Sequence, residues 1–288
     1  MTQTLYEFGP RKDARQRARH PLHMAVANGF PPQTYAPLLE PLTAHRRVVS
    51  LPPRPLWTDP PPPESVRSWT SLTSDLLAGL RAHDLTGVVA IGHSFGAVGS
   101  LLAVIKEPAR FSGLVLLDPT IFPTRILRAL AHMRASGEGE QMPRVGGARA
   151  RRERCASGEE GDAYWRARPL FSDWSDEAVR LYAESALVPA PDGQGLTLAW
   201  SPAWEAHYYQ TIHTDIWRYI PRLRGLVPVL AVRGAETNTF GDVAAARLRR
   251  LLPEIDYAEV PGHGHLFPQS APDSTRALIA DWLDRHDL

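Results

Sequence analysis

Apolar residues come in short, dense runs over the first hundred or so positions. "PLHMAVAN" at 21–28 reads as a buried strand running into "GFPPQTY", a turn rich in glycine and proline. "RRVVSLP" at 46–52 is a second short strand, stopped by prolines that cannot donate to a sheet ladder. A proline-rich loop covers 52–63, and 64–83 then places Val66, Trp69, Leu72, Leu76, Leu77 and Leu80 at helical spacing. Strand 87–92, helix 95–106 and strand 113–117 follow. Strands apolar on both faces, alternating with helices, predict an α/β fold with a mostly parallel sheet flanked by helices.

From about 120 to 222 the rhythm lapses, and no strand is predicted there. Helix-like pieces ("RILRALAHMRA", "DEAVRLYAESAL", "AWEAHYYQTIHTDIWRYI") are separated by a Gly/Arg/Glu-rich stretch at 136–162. The βα pattern then resumes with strand 227–233, helix 242–252, strand 255–260 and an amphipathic helix over 273–286. The reading is one core domain, 1–119 and 223–288, with a helical cap inserted at 120–222. No internal repeat interrupts it.

Composition narrows the function classes. The chain has 288 residues, 43% of them hydrophobic, enough for a sizeable core. A formal net charge of +1 offers no broad attraction to nucleic acid or to an anionic membrane. Arg17, Arg19 and their neighbours form a basic N-terminal patch, read as exposed and mobile, without the apolar core of a secretory signal. No apolar run approaches membrane-spanning length. Cys155 is the single cysteine; it rules out an internal disulfide framework, fits a cytoplasmic location and reads as a tolerated free thiol. The partner expected is a small-molecule substrate, and the pattern is silent on oligomeric state.

Candidate chemistry centres on "VVAIGHSFGAVGS" at 88–100. Gly92-His93-Ser94-Phe95-Gly96 satisfies G-x-S-x-G between a predicted strand and a predicted helix. A serine on that turn adopts a strained backbone that projects its hydroxyl above the sheet edge, and side chains at the flanking glycines would collide with it. Ala97, Gly99 and Ser100 let the helix pack closely. No phosphate-binding loop, dinucleotide fingerprint or H-x-x-x-H spacing is present, so neither a cofactor nor a metal is expected.

With this motif in this setting the chain resembles the α/β-hydrolase fold family over most of its length, least in the cap. The resemblance implies a histidine base after the last core strand, where "EVPGHGHLFPQSAPD" holds His263 and His265. The family pattern maps the base to His265 and leaves His263 a loop residue. It also implies an oxyanion hole built from the amide of Phe95 and that of Phe30. Phe30 lies in Asn28-Gly29-Phe30-Pro31, which resembles the family's His-Gly-Phe-Pro with asparagine in place of histidine.

The third member departs from the pattern. Where the family usually carries an aspartate after the penultimate strand, "RGAETNTFGD" has Thr237 and Asn238. An asparagine accepts a hydrogen bond from imidazole but cannot balance an imidazolium charge. Asp118, closing "GLVLLDPT", resembles the acid position of certain haloalkane dehalogenases, and Glu236 is a further carboxylate. Asp118 is expected to be the acid and Asn238 a neutral orienter; Asp242 is expected to cap the helix that follows.

A serine at position 94 favours acyl transfer over the alkyl-enzyme chemistry of an aspartate. The aromatic residues Trp165, Trp174, Trp200, Trp204, Tyr208, Tyr209, Trp217 and Tyr219 are expected mainly to hold the cap together, with a few walling the cleft. His207 and His213 are expected to face solvent, with lining a pocket as the alternative. Arg149, Arg151, Arg152 and Arg154 read first as a solvated, mobile segment and second as a cluster that would greet an anionic substrate. The activity expected is hydrolysis of a small to medium, moderately hydrophobic carboxylic ester through an acyl-enzyme. A carbon–carbon hydrolase or cofactor-free lyase on the same serine and histidine, and a ligand receptor with attenuated turnover, are the alternatives.

Overall fold

The computed structural model describes residues 4–9 and 19–288; Arg17 of the basic patch lies outside the described residues. In chain order the first elements are β1 (Tyr6–Glu7), β2 (Leu22–Ala25), α1 (Ala36–Leu39), β3 (Val48–Ser50), α2 (Thr70–Ala82), β4 (Val88–His93), α3 (Phe95–Lys106) and β5 (Phe111–Leu117). A second set follows: α4 (Thr124–Ala135), α5 (Val145–Arg149), β6 (Arg154–Cys155), α6 (Gly158–Arg166), α7 (Asp176–Ala186), β7 (Leu187–Pro189), β8 (Leu196–Leu198) and α8 (Pro202–Gln210). The chain ends with β9 (Val229–Gly234), α9 (Asp242–Leu251), β10 (Asp256–Val260), α10 (Phe267–Ser270) and α11 (Pro272–Arg285).

Seven strands form one sheet in the order β1-β3-β2-β4-β5-β9-β10. All neighbours are parallel except β1 on β3. The two-residue β1 was not predicted, being too short to carry an alternation of its own. The central strands are apolar on both faces because both faces are covered. Val88, Val89, Ala90 and Ile91 of β4 and Leu114 to Leu117 of β5 have no exposed surface. Helix α3 packs on β4 and β5 with α2 against it, while α11 packs on β10 and against α1.

Register brings the strand ends level. Ala25 pairs with Gly92, His93 with Leu117, Leu117 with Val232, and Gly234 with Val260. The residues that leave these strands therefore meet along one edge. From β2 the chain moves outward to β3, and from β4 it moves the other way to β5. The crevice between the ends of β2 and β4 is thus a topological switch point, where ligands of open α/β sheets bind.

Two expectations need correction. Val66 and Trp69 precede α2, because Pro60–Pro63 and an extended Val66 (φ −96°, ψ 110°) keep that segment out of the helix. Both side chains are nonetheless buried. The region 120–222 also contains strands: β6, β8 and β7 form a small antiparallel sheet. Strands of two or three residues are too short for period-two alternation to register. Cys155 lies in that sheet, and burial pushes its thiol pKa up.

The aromatic residues of this inserted segment mostly point inward. Trp165, Trp174, Trp200, Trp204, Tyr208 and Trp217 are all buried. Trp69 donates its indole N–H to the Tyr208 carbonyl at 2.8 Å, and Trp217 donates to the Phe122 carbonyl at 2.8 Å. The first bond fastens the segment to the strand-and-helix layers, and the second ties the segment's two ends to each other.

Candidate active site

Ser94 is the single residue between β4 and α3, and its backbone has φ 59° and ψ −118°. A non-glycine residue held there costs about 1–3 kcal/mol and needs support from its surroundings. Both of its backbone groups have partners: the N–H donates to the Leu117 carbonyl at 3.0 Å and the carbonyl accepts from Thr120 at 3.2 Å. The flanking glycines are required by contact. A Cβ on Gly92 would lie 2.5 Å from Ala97 Cα, and one on Gly96 would lie 2.4 Å from the Ala25 carbonyl oxygen.

His265 follows β10 and points back over the sheet edge. Its Nε2 lies 2.9 Å from Ser94 Oγ and its Nδ1 lies 2.6 Å from Asp118 Oδ2. Asp118 has no exposed surface. It leaves β5 with φ 39°, and its carboxylate accepts from the Gly234 amide at 3.2 Å and from the Thr237 hydroxyl at 2.6 Å. A carboxylate that accepts an N–H, an O–H and an imidazole N–H is well compensated for its burial. Serine, imidazole and carboxylate thus form one continuous hydrogen-bonded line.

Asn238 is not part of it. Its Oδ1 accepts from Arg144 Nη2 at 2.9 Å and from the Thr239 hydroxyl at 3.2 Å, away from His265. The expectation that it orients the imidazole is corrected. Thr237 holds the inward position on this turn, and Asn238, one residue on, is exposed. Glu236 is exposed as well, with its amide bonded to the His263 carbonyl at 3.0 Å. His263 itself bonds the Ser270 hydroxyl at 2.8 Å in the loop. Asp242 does not cap α9: the N-cap is Gly241, and Asp242 pairs with Arg233 at 2.7 Å from the first helical turn.

The two expected oxyanion donors differ. The Phe95 amide is the first of α3, so it has no acceptor within the helix. The Phe30 amide closes a β-turn onto the Ala27 carbonyl at 3.2 Å, with Gly29 at φ 85° in the position that requires a left-handed residue. Phe30 is therefore not an uncommitted donor, as the motif led one to expect; it would share its proton with the turn. Both side chains are gripped by aromatic rings of the inserted segment. Phe30 lies 5.5 Å from Tyr182 and 6.1 Å from Trp174, and Phe95 lies 5.0 Å from Tyr208 and 6.0 Å from Trp200.

Arg151 also departs from expectation. It is partly buried, ion-paired with Glu205 and bonded to the Tyr182 hydroxyl at 2.6 Å. Burial opposes its charge, but Tyr182 and Glu205 outweigh that and raise its pKa. A composition-based reading saw a solvated arginine run, yet a single buried carboxylate claims one member of it. Arg149, Arg152 and Arg154 are exposed and pair with Glu140, Glu160 and Asp192. His207 donates from Nε2 to the Val66 carbonyl at 2.7 Å, and His213 is buried. Neither faces solvent as expected.

Four neighbours of the site were missed in the sequence. Thr120 places its hydroxyl 3.0 Å from Ser94 Oγ, and Thr237 holds Asp118. His93 and Tyr35 bond to each other beside His265. Two had a local signal: Thr120 stands two residues after Asp118 in the same run, and Thr237 stands where the family usually carries its aspartate. Among the described residues no group of three or more His, Cys, Asp or Glu side chains is placed to hold a metal, and no helix is long and apolar enough to cross a membrane.

Comparison with known proteins agrees with this architecture. The chain is 28% identical over 226 residues to 2-(acetamidomethylene)succinate hydrolase of Mesorhizobium japonicum, covering 77% of this chain and 73% of that protein. It is 24% identical over 218 residues to N-formylmaleamate deformylase of Pseudomonas putida, covering 73% and 69%. The crystal structure of E-2-(acetamidomethylene)succinate hydrolase matches with a TM-score of 0.74 at 24% identity, over 92% of this chain and 91% of that one. A model of the alpha/beta hydrolase family matches residues 14–278. With the match spanning nearly the whole chain, this protein belongs to the alpha/beta hydrolase family.

Proposed function

We propose that this hydrolase cleaves a small carboxylic acid derivative through an acyl-enzyme on Ser94. The observation that carries the reading is the line from Ser94 Oγ to His265 Nε2 (2.9 Å) and from His265 Nδ1 to Asp118 Oδ2 (2.6 Å). His265 takes the Ser94 proton as Oγ attacks the carbonyl carbon, and Asp118 balances the imidazolium. The oxyanion lies at the Phe95 amide, with the Phe30 amide as a shared second donor. Collapse expels the alcohol or amine, which receives the proton from His265. Water, deprotonated by the same imidazole, then releases the acid.

An ester is the first substrate class, as the sequence led one to expect. A short N-acyl compound is the second, and the relatives favour it: their names place an acetamido group and an N-formyl group in the substrates of those proteins. With Asp118 rather than Asn238 beside the imidazole, the receptor reading loses the feature that had favoured it.

The test is incubation with a fluorophosphonate followed by intact mass and peptide mapping, beside His265→Ala. Stoichiometric labelling at Ser94 that His265→Ala abolishes is expected. A folded protein that takes up no label would overturn the reading. A panel of short esters and N-formyl or N-acetyl compounds, each with and without a carboxylate, then separates the two substrate classes.

A further inference from the structure

His93 is the variable residue of the G-x-S-x-G motif, yet it has no exposed surface and both ring nitrogens are engaged. Its Nε2 lies 2.9 Å from the main-chain carbonyl of His265. A carbonyl only accepts, so Nε2 carries the proton. The Nδ1 lone pair then accepts from the Tyr35 hydroxyl at 2.8 Å, and that hydroxyl in turn accepts from the Ala27 amide at 2.9 Å. The Ala27 carbonyl accepts from Phe30. Donors and acceptors alternate without conflict along the whole path, and Tyr35 is as fully buried as His93.

We propose that Tyr35 and His93 are positioning residues, a buried strut fixing the oxyanion turn at Ala27–Phe30 relative to the loop that carries His265. The inference rests on the serine hydrolase reading and deepens it. The base and the turn belong to opposite ends of the chain and share no ladder bond; the strut is the direct hydrogen-bonded path between them. It acts through main-chain groups at both ends, so it sets where Nε2 and the amide stand without touching substrate. Burial, followed by the nearby His265, holds the His93 pKa well below that of a free histidine. His93 therefore remains a neutral donor and does not compete for the proton that His265 takes from Ser94.

Two measurements test it. In ¹⁵N-labelled full-length protein, long-range ¹H–¹⁵N spectra are expected to give His93 as the Nε2–H tautomer, unchanged between about pH 8 and about pH 5. An Nδ1–H tautomer overturns the strut whatever the activity. The second is inactivation by a fluorophosphonate, split into its binding constant and its limiting rate. Tyr35→Phe is expected to lower the limiting rate by roughly 10- to 100-fold, with binding changed less than about threefold. His93→Gln keeps an N–H where Nε2 stood and is expected to retain far more of that rate than His93→Leu. A folded Tyr35→Phe that reacts at the parental rate, or Gln and Leu equally slow, means a merely structural role and overturns the proposal. Should Tyr35→Phe fail to fold, the tautomer and the Gln/Leu comparison still decide. A parent that takes up no probe but shows the Nε2–H tautomer sinks the hydrolase reading and, with it, the positioning role.

Discussion

His265 Nδ1 lies 2.6 Å from Asp118 Oδ2, although 147 residues separate the two in the chain. β5 and β9 are neighbours in the sheet, and the turn after β9 folds over the end of β5, so the acid reaches the imidazole from one strand further in than the usual family position. Asp118→Asn is expected to lower the limiting rate about 10⁴-fold, by removing the charge and inviting the wrong imidazole tautomer. Glu236→Gln is expected to leave it within about twofold, since Glu236 is exposed and its side chain is not in the line. Rates of label uptake at Ser94 in the two variants check both statements.

Thr237 donates to the same carboxylate oxygen that receives the imidazole. Thr237→Val keeps the shape and deletes the donor, and about a tenfold loss in rate is expected, the worth of one such bond. Thr237→Ser is expected to recover most of it. Equal rates in parent, Val and Ser variants would show that Gly234 alone holds Asp118.

Gly96 stands where a methyl group would meet both the Ala25 and Val26 carbonyl oxygens, at 2.4 and 2.5 Å. Gly96→Ala must push the end of β2 away from α3 and is expected to destabilise the fold by about 3 kcal/mol, the upper end for overpacking, since backbone has to move. Gly99→Ala meets Leu72, most closely its Cβ at 3.2 Å, and is expected to cost less than about 1 kcal/mol. Urea unfolding midpoints compare them.

Buried neutral histidines set a pH limit. Burial lowers His23 to about 3, holds His93 well below its ordinary value and also lowers His213. The unfolded chain binds these protons near pH 6.5 and the folded chain refuses them, so stability falls as pH drops below about 6.5. Each such histidine adds a slope of up to about 1.4 kcal/mol per pH unit, continuing for His23 toward about pH 3. Unfolding free energy measured between about pH 7.5 and about pH 5 checks the slope before most carboxylates titrate, and His23→Gln is expected to flatten it. A profile level across that range would contradict the burial of these rings.

Glu205 is buried and anchors both the Arg151 guanidinium and, through its carbonyl, the Asn28 side chain at 3.0 Å. About a fifth of the Arg151 side chain is exposed (20%), so Glu205→Gln is expected to cost about 1–3 kcal/mol, below the loss from a fully dry pair. The same variant leaves the guanidinium beside Gly29 without its counter-charge, still bonded to the Tyr182 hydroxyl, and a thermal melt reads the effect.

The alternation of strands and helices, the serine on its strand–helix turn and the glycines around it were legible in the residues themselves. Each depends on neighbours a few positions apart: periodicity reports burial of a face, and a strained turn needs small residues at fixed offsets. Asp118 was legible only as one carboxylate among several. What selects it is the adjacency of β5 and β9, the Gly234 amide and the inward turn of Thr237. Arg151 looked like its exposed neighbours until Glu205, 54 residues away, claimed it. The Tyr35–His93 path left no local trace either, since the tautomer of a histidine follows from which carbonyl the fold sets against it. Short-range sterics are written in consecutive residues; the partner of a buried polar group is decided by which distant strands and loops the sheet order brings level.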